Sequence, residues 1–454
     1  MAAARLALVG MLAICGTASA QYGPLLSGSG PVSRSMAGVA AASPLSPSGA
    51  VYWNPATLTG FERSETDFGL ELLLLDTRLS SQFPAGSLGP AVPPVALSGQ
   101  TRSNSTVYPL PNVGTVYRPE GSRWAYGLGV TAAAGFGVDY PGQRVNPILT
   151  PRPPAGVGVG PVFSDYQVLQ ISPAAAYQLT DRLSVGGGPI VNLGRLQFDP
   201  GLFLPPGDAN GDGFGTYPGA THTRTAWGGG FSLGLYYTGD GWATGVGYKS
   251  PQWFESYRFN LTDELGRPQG GSVRLDLPTV VSWGLAYTGL DRWVFATDLR
   301  YLGFGQARGF GGEGFRADGS AGGLGFRDTF AVAVGAQFRA TERLAVRAGY
   351  SYGGNPIPGE WASVNVASPT TIKHIVTCGM SWSVTEDFAL SAAYLHGFDS
   401  SVSGPLRTPL GPVPGTSVGS STGFDSVSLG ASVKFGPAAR GRVACAESPA
   451  AGGG

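Results

Sequence analysis

Residues 330–339 read Phe330-Ala331-Val332-Ala333-Val334-Gly335-Ala336-Gln337-Phe338-Arg339, and Thr341-Glu342-Arg343-Leu344 follows directly. Phe330, Val332, Val334, Ala336 and Phe338 fall on one face of an extended chain. Ala331, Ala333, Gly335, Gln337 and Arg339 fall on the other. A period of two with an apolar face and a small or polar face is the pattern of a strand between two different media. The same pattern recurs at 293–302, where Trp293, Phe295, Thr297, Leu299 and Tyr301 alternate with Val294, Ala296, Asp298, Arg300 and Leu302. It returns at 426–435, where Val427, Leu429, Ala431, Val433 and Phe435 alternate with small or charged residues.

The turn after Arg339 also recurs. Thr180-Asp181-Arg182-Leu183, Leu290-Asp291-Arg292-Trp293, Thr341-Glu342-Arg343-Leu344 and Thr385-Glu386-Asp387-Phe388 share one design, and the segments at 119–124 and 239–242 are variants of it. Polar or glycine turn residues hand over to a large apolar residue that starts the next strand. Working outward from these turns gives strands at 66–79, 105–118, 122–137, 164–179, 182–198, 222–238, 241–260, 271–288, 292–305, 325–340, 343–355, 371–384, 387–398 and 424–436. Fourteen is an even count, as a single-chain outer-membrane barrel requires. All the tight turns fall at one end. The long Pro/Gly-rich loops, 80–104, 138–163, 199–221, 261–270, 306–324, 356–370 and 399–423, fall at the other. Short periplasmic turns and long extracellular loops are the expected asymmetry. A soluble sandwich or propeller has no reason to sort its loops this way. The fold class is therefore all-β: a 14-stranded antiparallel transmembrane β-barrel.

Composition agrees. The chain has 454 residues, of which 42% are hydrophobic, 11% aromatic and only 13% charged. That is about half the usual charged fraction of roughly 25%. Gly and Pro supply about a quarter of the residues, yet the apolar content is too high for disorder. Lys and Arg balance Asp and Glu at 29 each, which excludes nucleic acid as a partner. Only three His occur and nothing singles out a nucleophile, so no enzyme is expected.

Arg5, the apolar run Leu6 to Ile14 and the small-residue site Ala18-Ser19-Ala20 predict a secretory signal peptide over 1–20. Its removal takes Cys15 away and leaves Cys378 and Cys445, too few for a disulfide framework. Residues 21–65 hold little period-two pattern and many small residues. A fourteen-stranded barrel has a lumen wider than side chains fill, so this segment is expected to fold inside as a plug. The alternative is a loose periplasmic tail. The barrel itself then covers 66–436, and 437–454 is a disordered C-terminal tail.

The stretch from Ser33 to Phe61, with Ala50, Tyr52 and Trp53 leading into Asn54-Pro55-Ala56, resembles the N-terminal hatch of the FadL/TodX family of outer-membrane transporters of hydrophobic compounds. Ala125–Val130 followed by Gly135–Tyr140 is similar to that family's third strand. Leu277-Pro278 leading into Val281–Gly284 is similar to its eighth, and Arg347–Tyr352 followed by Asn355–Pro358 to its eleventh. The resemblance implies passive uptake of long-chain fatty acids or aromatic hydrocarbons. The ligand is captured by outer loops, bound in the lumen, and released sideways into the bilayer when the hatch shifts. It implies no cofactor. The loop after the fifth strand, usually long and partly helical in the family, is short here at 199–221.

Several residues are candidates within that picture. Asn54, Pro55 and Ala56 form the hatch motif. Gly135 and Gly137 end a stretch, Ala132-Ala133-Ala134-Gly135, that abandons alternation. They mark a strand kink at a lateral gate, or make room for the hatch. Leu202, Phe203 and Leu204 form an outer docking surface for ligand or pack on neighbouring loops. Arg300 and Arg339 fork a ligand carboxylate or sit in ion pairs with neighbours such as Asp298. Asp208-Ala209-Asn210-Gly211-Asp212-Gly213 starts like a calcium loop, but Gly219 stands where the bidentate acid belongs, so no metal site is assigned. The expected partners are a hydrophobic small molecule and outer-membrane lipid, with the barrel acting as a monomer. A general diffusion porin is the first rival and a structural or adhesive barrel the second. A porin has no plug and lines its lumen with charge.

Overall fold

The computed structural model describes residues 22–88, 96–105, 107–220, 222–312 and 314–437. The expected signal peptide, Cys445, and the tail beyond 437 lie outside them. Fourteen wall strands run in chain order around the barrel. They are β1 (Ser64–Phe83), β2 in two pieces (Leu97–Arg102 and Val107–Tyr117), β3 (Trp124–Tyr140), β4 (Val162–Gln178), β5 (Leu183–Asp199), β6 (Arg224–Gly239) and β7 (Trp242–Lys249). The others are β8 (Thr279–Tyr287), β9 (Trp293–Gly303), β10 (Thr329–Arg339), β11 (Leu344–Gly353), β12 (His374–Ser383), β13 (Phe388–Thr408) and β14 (Gly411–Phe435). Each pairs antiparallel with its neighbour. β14 closes on β1 from Ser64↔Phe435 to Gln82↔Ser417. Closure removes every free edge, which a sheet in lipid must do.

The recurring turn works through its threonine. Thr341 Oγ1 accepts from the backbone amides of Arg343 and Leu344 at 3.2 and 3.0 Å. Thr385 does the same for Asp387 and Phe388, and Thr180 for Arg182 and Leu183. The hydroxyl replaces the amide partners that a reversing chain loses. At the opposite end three elements differ from the sequence expectation. Leu97–Arg102, inside the loop expected at 80–104, is a strand paired with β1. Strand β7 stops at Lys249, and Tyr257–Thr262 pairs with Pro268–Val273 in a separate small hairpin. The stretch 399–423, read as a loop, is the upper part of β13 and β14, which extend to a tip at Pro409-Leu410.

The outer face carries the apolar band. Phe68, Leu70, Leu72 and Leu74 on β1 and Val427, Leu429 and Val433 on β14 are exposed. Aromatic pairs mark the level of the tight turns, with Trp293 against Phe338 at 4.6 Å and Trp124 against Tyr177 at 4.8 Å. At the other interface Asp425 accepts from Tyr394 Oη at 2.6 Å, with His396 Nδ1 at 2.9 Å. Amphipathic rings belong at these two levels of a bilayer.

Residues 22–63 lie inside the barrel. They form helix α1 (Gly30–Ser35), helix α2 (Pro47–Trp53) and a 3₁₀ turn at Pro55–Gly60. Pro at the start of α2 fits because its missing N–H would have no helical partner there. Three wall carboxylates hold this plug. Glu71 takes a two-pronged bond from the Arg34 guanidinium, with Nε at 2.8 Å, and also accepts from Ser426 Oγ. Asp67 accepts from Ser48 N and Oγ. Asp298 accepts from the amides of Ala40 and Ala41 at 2.9 and 3.1 Å.

The plug lies flush because the wall is bare where it touches. A methyl added at Gly114 would strike the Ser48 backbone, one at Gly245 the Ala41 carbonyl, and one at Gly349 the backbone of Met36. Glycines meet the plug in this way on every wall strand except β4, β9 and β13. The glycine richness of the sequence is thus partly a packing requirement.

Candidate functional site

The wall is not uniformly sealed, and the reason lies in β2 and β3. From Asn112 to Tyr117, β2 pairs with β3, ending at Asn112↔Thr131. Above that point β2 pairs only with β1, through Leu70↔Pro111, Leu72↔Pro109 and Leu74↔Val107. Pro109 and Pro111 have no N–H to give, so a ladder with β3 cannot continue through them. On the facing edge, β3 bulges. Ala132 opposes Leu169 of β4 and Ala134 opposes Val168, which leaves Ala133 as the extra residue. Gly135 and Gly137 lie just beyond this bulge, still paired with Gln167 and Asp165 of β4. The Tyr108 phenol, bonded to Ser105 Oγ at 2.9 Å, lies so close to Gly137 that no side chain fits there.

The plug covers this gap from within. Leu26 N donates to the Ala133 carbonyl at 3.0 Å, and Gly135 N donates to the Pro24 carbonyl at 2.9 Å. Tyr52 Oη lies 3.3 Å from the carbonyls of both Leu26 and Ala133. The first described residues of the plug therefore take up backbone groups that β2 leaves unpaired.

A cavity of about 300 Å³ runs through the same place. Leu73, Leu75, Thr77, Tyr166 and Thr422 reach it from the inward face, Pro109, Pro111, Leu169, Leu193 and Arg195 from the outward face. Lining from both faces is what a passage through the wall requires. Behind it the lumen is aromatic. Phe136 sits 5.0 Å from Tyr166 and 5.9 Å from Phe198, and Phe310 packs on Phe326 at 5.2 Å.

The hatch motif lies below. Asn54 Nδ2 donates to the carbonyls of Ala41 at 2.7 Å and Leu235 at 2.9 Å, and Oδ1 accepts from Ala56 N at 3.1 Å. One fully buried amide thus ties two parts of the plug to the wall. Pro55 opens the 3₁₀ turn, and Ala56 lies against Gly186 and Gly234. Nearby, two basic side chains face the plug's aromatics. Lys249 Nζ lies 3.4 Å from the Tyr52 ring centroid, and the Arg300 guanidinium 3.9 Å from that of Trp53.

The other candidates are dispersed. Arg300 is fully buried and gives its fork to Asp298, the Gly38 carbonyl and Tyr22 Oη. Burial pushes the Tyr22 phenol up, so it stays neutral as an acceptor. Arg339 lies elsewhere, at the tight-turn end, in a polar mouth of about 750 Å³ shared with Glu342, Arg343 and Arg347. Leu202, Phe203 and Leu204 are half-buried among loops, with Phe203 on Phe198 at 5.5 Å and Leu204 over Gly271. In the loop at 208–213, Asp208 accepts from the amides of Asp212 and Gly213, while Glu264 accepts from Asn210 N.

Sequence reasoning did not single out Pro109, Pro111, Leu26 or Lys249. The two prolines in one strand were a readable signal of an unpaired edge. The contacts of Leu26 and Lys249 join segments far apart in the chain and leave no local trace.

The family described as outer membrane protein transport protein (OMPP1/FadL/TodX) matches residues 9–405. A long-chain fatty acid transport protein of Escherichia coli O6:H1 is 22% identical over 404 residues, covering 77% of this chain and 81% of that protein. Among solved structures, the Pseudomonas putida toluene transporter TodX superposes with a TM-score of 0.68 at 20% identity, over 91% of this chain and 100% of its own. The Ralstonia pickettii toluene transporter TbuX gives 0.65 at 20%, over 90% and 99%. A Pseudomonas aeruginosa FadL homologue gives 0.67 at 16%, over 91% and 100%. At these identities the structural likeness establishes the fold.

Proposed function

This chain belongs to the OMPP1/FadL/TodX family of outer membrane transport proteins, and from that premise we propose how it moves its substrate. It is an outer-membrane transport channel for hydrophobic compounds of the fatty-acid and aromatic-hydrocarbon classes, not an enzyme. In our reading a hydrophobe captured at the loop end settles among the lumen aromatics. It then leaves through the gap between β2 and β3 into the bilayer. The hatch segment 22–26, bonded to Ala133 and Gly135, is the movable cover, and the Ala132–Gly137 stretch is the gate. One barrel contains the whole route, so the monomer is the working unit.

The observation that carries this reading is the cavity lined from both faces of the wall exactly where the β2–β3 ladder stops. Lateral release also follows the free energy. An apolar solute leaving downward would enter periplasmic water. Leaving sideways keeps it in hydrocarbon, a gain of about 0.8 kcal/mol per buried CH₂. A general porin is disfavoured by the hatch and by the aromatic packing of the lumen. The test pairs uptake of a labelled fatty acid or alkylbenzene into reconstituted vesicles with single-channel conductance. Hydrophobe uptake with little ion current is expected. Large steady current without uptake would overturn the reading.

A further inference from the structure

Beside the cavity lining on β4 and β5 are four buried polar atoms that have no hydrogen-bond partner among the described residues, one of them on Tyr166, which itself lines the cavity. They are Tyr166 Oη, Tyr257 Oη, Gln170 Oε1 and Asn192 Oδ1. All four residues are at most 1% exposed. They are also neighbours by register. Gln170 on β4 faces Asn192 on β5, Val168 faces Gly194, and Tyr166 faces Leu196. The Tyr257 hydroxyl, brought in by the small hairpin above β7, lies against Gly194, where a methyl would collide with it. Tyr166 and Val168 line the cavity.

The chemistry of the patch is lopsided. The amide nitrogens are already used, Gln170 Nε2 on Ser172 Oγ at 2.8 Å and Asn192 Nδ2 on Gln252 Oε1 at 2.7 Å. What remains is two carbonyl oxygens that need donors and two phenols that can give or take a proton. Buried groups of this kind are costly to leave unpaired, and Tyr166 brings one of them to the lining of an apolar cavity.

We propose that this patch on β4 and β5 is a hydroxyl-binding subsite, so that the passage selects neutral oxygenated hydrophobes, phenols and alcohols, over bare hydrocarbons of the same shape. The ring or chain lies in the cavity against Val168, and the hydroxyl turns inward to donate to an amide oxygen and accept from a phenol. This inference rests on the transport reading and deepens it by naming the substrate class.

The test is equilibrium binding to the full-length barrel in detergent micelles, with p-cresol and p-xylene as probes of matched size. p-Cresol is expected to bind roughly three- to ten-fold more tightly, the range of one or two neutral hydrogen bonds. Tyr257→Phe and Tyr166→Phe should each shrink the ratio of p-cresol to p-xylene affinity. Neither hydroxyl has a hydrogen-bond partner among the described residues, so both variants should keep the parent melting temperature. Equal binding of the two probes, or an undiminished margin in both variants, would mean the patch holds water only and would overturn the proposal while leaving hydrophobe transport intact. Failure of both probes to bind would remove the transport reading and the subsite together.

Discussion

The backbone amide of Leu26 reaches the carbonyl of Ala133 at 3.0 Å, so the hatch is hydrogen-bonded to the very residue that β3 leaves over in its bulge. A cover attached by backbone hydrogen bonds can detach without any change in side-chain packing of the wall. Leu26→Pro removes the donor and should weaken the cover. We expect faster hydrophobe uptake in vesicles, with melting of the barrel little changed. Unaltered uptake would show that this contact does not limit release.

The prolines on the opposite edge make a complementary case. Pro109→Ala with Pro111→Ala restores two amide donors beside the gap. Longer pairing between β2 and β3 should follow, and uptake should fall several-fold. Hydrogen exchange at residues 107–111 would report the added protection directly.

Asn54 makes three hydrogen bonds from a fully buried position. Asn54→Ala should cost roughly 2–3 kcal/mol of hatch stability, since two carbonyls and one amide lose their partner. The expected readout is raised ion conductance in planar bilayers. Asn54→Asp should behave similarly, because a carboxylate cannot donate to the Ala41 and Leu235 carbonyls.

The Arg34–Glu71 pair is buried on both sides. Arg34→Ala leaves a lone buried carboxylate and should destabilise by roughly 3–5 kcal/mol. Arg34→Met combined with Glu71→Leu should recover much of that loss in thermal unfolding. If the double variant were as unstable as the single one, the charge argument would be wrong and packing alone would be at stake.

Membrane orientation has its own test. Leu429 faces outward within the apolar band. Leu429→Arg should cost roughly 2–4 kcal/mol near the bilayer midplane, measured by reversible unfolding from lipid vesicles. Arginine at an exposed loop position such as Leu410 should cost almost nothing.

Much of this arrangement was legible in the sequence, and the exceptions follow a rule. Where lipid touches one face only, as at Phe330–Phe338, alternation revealed the strand and its orientation. Where both faces meet water or protein, the pattern vanished. That is why the upper halves of β13 and β14, rich in Ser, Gly and Pro, read as a loop although they pair from Ser400↔Thr422 to Thr408↔Gly411. The strand assigned through residue 260 failed for a related reason. Tyr257, Phe259 and Leu261 alternate as a wall strand would, but they pair with 268–273 in a hairpin packed on the loops. At the site, the small residues of Ala132–Gly135 coincide with the bulge in β3. The pairing of Lys249 with Tyr52 and of Arg300 with Trp53 could not be read, because it depends on how the hatch seats in three dimensions.

The bare glycines that ring the hatch carry a consequence for assembly. At Gly114, Gly186, Gly245, Gly247 and Gly349 the nearest hatch neighbours are backbone atoms, not flexible side-chain ends, so the fit leaves no clearance through which a finished stopper could be pushed. The seam between β1 and β14 must therefore join after residues 22–63 are in position. The barrel is moulded around its own cork, and a hatch grafted from a relative with different contours would be rejected as the wall closes.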